Sequence, residues 1–176
     1  MTLSFRRQFA VYAEYHRDQR NCATHVVGTP LLFFAAVLPF SLVSVPVFGL
    51  HTTAASLLVV PALVFWMVLD LAIGVVILCA AFPLLITAAM ISARVGTIWV
   101  WTMTAALIVI GWALQIVGHS VFERRRPALL DNPIHMLISP MFIVAKLLVA
   151  LGFRSDLAVV VSKKPEAVIT EFSQHP

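Results

Sequence analysis

Charge is what this chain has least of. Only 11% of its 176 residues are Asp, Glu, Lys or Arg, against about 25% in a typical soluble domain, and 61% are hydrophobic. With a mean hydropathy of +0.97, that balance excludes a soluble globular enzyme and marks an integral membrane protein. Cysteine is scarce too. Cys22 stands in a polar N-terminal segment and Cys79 inside an apolar run, so no CxxC forms and no disulfide is expected. There is no GxSxG, Walker loop or dinucleotide fingerprint, which leaves hydrolase, NTPase and NAD readings without support. No apolar h-region occurs in the first 25 residues, so no cleavable signal peptide is expected. Acidic residues number 8 against 12 basic ones, for a net charge of +4. The basic excess is clustered without interleaved aromatics, which suits membrane flanks and anionic lipid headgroups and not nucleic acid.

Long apolar runs are what the chain does have. Val26 to Ser92 is nearly all apolar, and about 20 helical residues cross a bilayer core of roughly 30 Å. Four spans are expected, at 28–48, 53–70, 73–92 and 97–118, with Pro39, Pro46, Pro61 and Pro83 as kinks that membrane helices tolerate. Ahead of them, residues 3–20 read as an amphipathic helix with Phe5, Phe9, Tyr12 and His16 on one stripe, stopped by Asn21. A new helix should then begin near Asn21–Thr24, capped by Thr24, with Gly28 and Pro30 in its first turn. The run 134–153 holds Ser139-Pro140 and Lys146 and is expected to be an interfacial or re-entrant helix. A fifth span would leave Arg154, Lys163 and Lys164 on the far side. The expected fold class is an all-α polytopic membrane bundle. Residues 1–155 form one metal-binding domain and 156–176 a weakly structured tail.

Chemistry gathers where the apolar runs stop. Gln115, His119 and Glu123 are spaced i, i+4, i+8 on one face of an α-helix, just before Arg124–Arg126. His16 and His25 flank the bundle at its other end. Four spans between His25 and His119 is an even number, so both groups emerge on one side. That side carries Arg6, Arg7, Arg17, Arg20 and Arg124–Arg126 against Arg94 alone opposite, which makes it cytoplasmic. Several histidines at one depth point to a metal held by His16, His25 and His119; the alternative is interfacial histidines bonded to helix ends. His135 is either a further ligand or a donor behind the ligands. Glu123 is a ligand, the acceptor of a ligating imidazole's second N–H, or an ion-pair partner of the arginines. Arg124 and Arg125 suit a substrate carboxylate, or equally lipid headgroups. Asp70 reads as a loop acid, and His51 and His175 have no assigned role. A di-iron centre would need about twice this ligand supply, so a single ion fits better.

These residues carry a resemblance. Tyr12-Ala-Glu-Tyr-His16, Asn21, His25 and Gly28-Thr-Pro30, followed by Gly111-Trp-Ala-Leu-Gln115-Ile-Val-Gly-His119-Ser-Val-Phe-Glu123-Arg-Arg-Arg-Pro127-Ala-Leu-Leu-Asp-Asn, resemble the iron-dependent 2-hydroxy fatty acid dioxygenases. Those are small multi-span membrane proteins of fatty acid α-oxidation, and the resemblance spans about residues 9–153. It implies Fe2+ held by His16, His25 and His119, with Glu123 close by and Tyr12, Asn21 and Gln115 beside the substrate. It also implies O2-dependent shortening of a long-chain 2-hydroxy fatty acid by one carbon, with release of CO2. His135 departs from the family pattern, where Gln is common. The implied location is the inner membrane of a bacterium or the endoplasmic reticulum of a eukaryote, with the site facing the cytoplasm. Ligand type alone does not separate iron from zinc, so the choice of iron rests on the resemblance. A reading from another class keeps the metal and drops the reaction: a non-catalytic divalent-metal-binding or transport protein. Against it stands the shortage of polar residues inside the spans.

Overall fold

In the computed structural model, which describes residues 3–162, the apolar runs are helices. Lipid offers no water to backbone amides, and a helix satisfies them within the segment. The order is α1 Leu3–Glu14, α2 Gln19–Val37, a hairpin of β1 Ser44–Val47 and β2 Leu50–Thr53, α3 Ala54–Leu69, α4 Leu71–Arg94, α5 Thr97–Val117, α6 His135–Ala150 and α7 Ser155–Ser162. Short 3-10 turns occupy Pro39–Leu42 and Ala128–Leu130, and a π-helical turn, Gly118–Glu123, continues α5.

Three stretches are long and apolar enough to cross a membrane: Gln19–Leu42, Leu71–Arg94 and Thr97–Glu123. The expected span at 53–70 is α3, whose 16 residues reach about 24 Å, short of the roughly 30 Å core. The expected span at 28–48 stops early because the chain turns into the hairpin. There Val47 pairs with Leu50 across a two-residue turn, with Phe48 and Gly49 both at positive φ (49° and 82°), as a tight hairpin requires. α6 packs on α1, α2 and α4. α7 occupies the start of the expected tail and buries Leu157 and Val160; Lys163, Lys164 and His175 lie outside the described residues.

The first helix boundary also differs from expectation. α1 ends at Glu14 and α2 begins at Gln19, capped by Asp18, whose carboxylate accepts the Arg20 N–H at 2.8 Å. An aspartate wins this position because its charge suits the positive end of the helix dipole. Asn21 therefore lies in the first turn of α2 and stops nothing, Thr24 donates to the Asn21 carbonyl, and Gly28 and Pro30 sit mid-helix.

α2 and α5 lie together along a seam of small residues, as helices in lipid do when close packing replaces a hydrophobic drive. A Cβ on Gly111 would meet Leu32 at 2.7 Å, and one on Gly118 would run into the side chains of Asn21 and Thr24. This seam brings the start of α2 against the end of α5. Two apolar clusters flank it. One, at the hairpin end, holds Val37, Leu38, Ala55 and Val59; the other joins α1, α6 and α7 through Phe9, Met141, Phe142 and Leu157.

Candidate metal centre

His16, in the link between α1 and α2, His25, in the second turn of α2, and His119, in the π-turn, converge. One nitrogen from each lies within 4.8 Å of the others, and all three residues are at most 4% exposed. Their rings meet edge to face, with centroids 4.4 to 4.9 Å apart. The backbone fixes two tautomers. His16 Nδ1 sits 3.0 Å from the Tyr12 carbonyl and His25 Nδ1 3.0 Å from the Asn21 carbonyl. A carbonyl only accepts, so each Nδ1 carries the hydrogen and each Nε2 presents a lone pair. Tyr12 stacks on His16 at 4.2 Å and holds its plane. Burial, and next the His25 imidazole, keep His16 well below the usual imidazole range, so it is neutral at pH 7.

This donor set fits a transition-metal ion. His16 Nε2 and His119 Nδ1 are buried and have no hydrogen-bond partner among the described residues, a condition that costs about 1–3 kcal/mol per atom unless something else binds there. A shared cation meets that need, and three imidazoles are a usual set for Zn or Fe.

The group opens into a chamber of about 560 Å3 between α2, α3, α5 and α6. His25 and His119 line one end, and the wall runs on through Leu32, Phe33, Ala36, Val37, Val59 and Trp66. A polar chain crosses the histidine end: Gln115 Nε2 donates to Thr29 Oγ1 at 3.2 Å, and Thr29 meets Ser139 Oγ at 3.2 Å. Burial above all pushes the Tyr12 phenol up, so it stays protonated.

The other expected site residues are placed as follows. Among the described residues, the metal-capable group contains neither Glu123 nor His135. Glu123 Oε1 accepts the Asp18 N–H at 2.7 Å and the Asn21 amide at 3.3 Å, tying the π-turn to the start of α2. The i, i+8 α-helical face expected for Gln115, His119 and Glu123 is broken because Gly118–Glu123 winds as a π-turn. His135 lines the chamber, with Nδ1 2.9 Å from the Ala128 carbonyl. Arg124 and Arg125 are exposed and do not line the chamber; Arg125 donates to the Glu14 carbonyl at 3.4 Å. Thr29 and Ser139 were not legible from sequence, since single hydroxyls within apolar helices look neutral. Cys22 and Cys79 are both free, and Cys22 sits 2.7 Å from Lys146 Nζ behind His16.

Comparison with known proteins bears on this centre. Residues 2–151 match the family described as 2-hydroxy-palmitic acid dioxygenase Mpo1-like. The chain is 34% identical over 156 residues to the 2-hydroxy-palmitic acid dioxygenase MPO1 of Saccharomyces cerevisiae, covering 88% of this chain and 86% of that protein. No solved structure matches it.

Proposed function

Since this chain belongs to the Mpo1-like family, we propose that it is a membrane-embedded dioxygenase that shortens long-chain 2-hydroxy fatty acids by one carbon, using a single ferrous ion held by His16, His25 and His119. Overall, one acid and one O2 give the shorter acid, CO2 and water, which balances without an organic cosubstrate. The observation that carries the reading is the three-imidazole group at the mouth of an apolar chamber. Iron bound there would supply open positions for O2 and for the substrate's carboxylate and hydroxyl.

The chain's own residues do the remaining work. The Tyr12 and Asn21 carbonyls orient His16 and His25, and Tyr12 backs His16. Glu123 holds Asn21 and the start of α2 at the π-turn that carries His119, and acts through that positioning. The acyl chain lies along α2. From His25 to Val37 is twelve residues, or about 18 Å of helix. An extended hydrocarbon gains about 1.25 Å per carbon, so roughly 14 carbons fit beyond the head group.

The site faces the cytoplasm, and the bundle crosses the bilayer four times. Support for the fourth crossing is parity. His25 and His119 meet, so an even number of passages separates them, and α3 must join α2, α4 and α5. Residues 1–155 act as one unit.

The test is oxygen uptake and product analysis with purified protein and 2-hydroxy acids of graded length. Wild type should convert 2-hydroxypalmitate to pentadecanoate. Ala36→Trp should cut activity on it about tenfold or more while sparing acids four to six carbons shorter. Equal losses at every length would remove the acyl chain from this chamber.

A further inference from the structure

We propose that His135 reads the 2-hydroxyl of the substrate by accepting its hydrogen, and is not a fourth metal ligand. This rests on the reaction class proposed above and adds the group by which the site separates a hydroxy acid from a plain one.

His135 is 3% exposed and lines the chamber beside His25 and His119. Its Nδ1 lies 2.9 Å from the Ala128 carbonyl, so that nitrogen carries the hydrogen and Nε2 is left as the ring's acceptor. Nε2 is buried and has no hydrogen-bond partner among the described residues. Other polar groups lining the chamber are bonded to one another: Gln115 to Thr29, and Thr29 to Ser139. Tyr12 also accounts for the separation from the metal group. Its ring stacks on His16 at 4.2 Å and meets the edge of His135 at 5.5 Å, so one side chain touches both.

The acceptor selects its ligand by chemistry. The head of a 2-hydroxy acid carries a carboxylate, which only accepts, and a hydroxyl, which is the one hydrogen it can donate. A nitrogen lone pair repels the first and bonds the second. That bond uses the hydroxyl hydrogen and leaves the oxygen lone pairs available. A fatty acid without the hydroxyl leaves Nε2 desolvated and unpaired, and sites built around one such bond reject the analogue that lacks it.

The experiment compares wild type, His135→Leu and His135→Gln, measuring iron per chain, KM for 2-hydroxypalmitate and the inhibition constant of palmitate. The Leu variant should keep its iron, raise KM roughly tenfold and leave palmitate inhibition unchanged or tighter, because palmitate never used the bond and no longer strands a buried Nε2. The Gln variant, whose amide offers both a donor for Ala128 and an acceptor, should recover most of the loss. With wild type alone, 2-methoxypalmitate, which has no hydroxyl hydrogen, should bind no better than palmitate; this arm is immune to misfolding. Iron lost from the Leu variant would make His135 a ligand. KM and palmitate inhibition weakening together would make it merely structural. Tight binding of the methoxy acid, or an unmoved KM, also overturns the proposal. If wild type consumes no 2-hydroxy acid of any length, the reaction reading itself fails and this proposal falls with it.

Discussion

The two ends of the bundle are built on opposite terms. At the hairpin end, Val37, Leu38, Ala55, Val59, Ala88 and Val100 make a largely apolar core; Ser41 there donates to the Val37 carbonyl, and Thr104, on α5 between Val100 and Leu107, is the one buried hydroxyl without a partner among the described residues. Beyond it the hairpin tip leaves Phe48 fully exposed and Leu50 at 76%. At the histidine end, His16, Asn21, His25, Gln115, His119, His135 and Ser139 are all buried, and His16 Nε2, Asn21 Oδ1, His119 Nδ1 and His135 Nε2 have no partner among the described residues. Each such atom costs about 1–3 kcal/mol. A fold serving only its own stability would spread that cost or avoid it. Here four of the five such atoms among the described residues lie at the histidine end, where three imidazoles face one another at the end of a chamber. The contrast supports the proposal that this end is completed by what binds there, while the other end holds the bundle together.

The contrast can be broken most sharply at its glycines. A side chain at Gly118 would collide with Asn21 and Thr24, whereas one at Gly96, on the opposite α4–α5 turn, meets nothing within 4 Å among the described residues. Gly118→Val should push the π-turn from α2 and lower bound iron and turnover roughly a hundredfold; Gly96→Ala should change neither. Metal analysis and oxygen uptake on both variants check this. A smaller effect is expected from Glu123→Gln. An amide oxygen can still accept from Asp18 and Asn21 but lacks the charge that favours a helix N-terminus, so iron affinity should fall about tenfold in a competition with a chelator.

The smallest effect lies on the connection between α3 and α4. Burial raises the Asp70 carboxyl, but the Arg154 guanidinium, bonded at 3.0 and 3.1 Å, more than offsets this and holds it below the usual range. A carboxyl lower in the folded than in the unfolded state adds stability above its unfolded value near pH 4, and that stability is lost as pH falls. Thermal unfolding of wild type should therefore weaken below about pH 4, and Asp70→Asn should flatten that slope while leaving iron content alone.

Much of the histidine end was legible in the sequence, for identifiable reasons. His16, His25 and His119 stand at the edges of apolar runs, and the four spans expected between His25 and His119 put both groups on one side; the structure brings the three together. The details that escaped were decided by competition between neighbours. Asp18 outcompetes Thr24 as the cap of α2, which moves the break six residues earlier than expected. The π-turn redirects Glu123 from His119's face to Asp18 and Asn21, and no local residue preference signals such a turn. The hairpin was hidden inside an apolar run because its turn uses Phe48, a residue seldom found at positive φ. The seam was half visible: Gly111 and Gly118 are seven residues apart, two turns on one helix face, but only Leu32, Asn21 and Thr24 across the gap explain why glycine is needed.

The central claim is that the histidine end is completed by one metal ion shared by His16, His25 and His119. Elemental analysis and metal-edge anomalous scattering on protein purified without added metal test it most directly, with His119→Ala alongside. The account expects one iron per chain, located among those three rings, and its loss from the variant at unchanged helical content. A protein free of transition metal, or one whose metal survives His119→Ala, would contradict it.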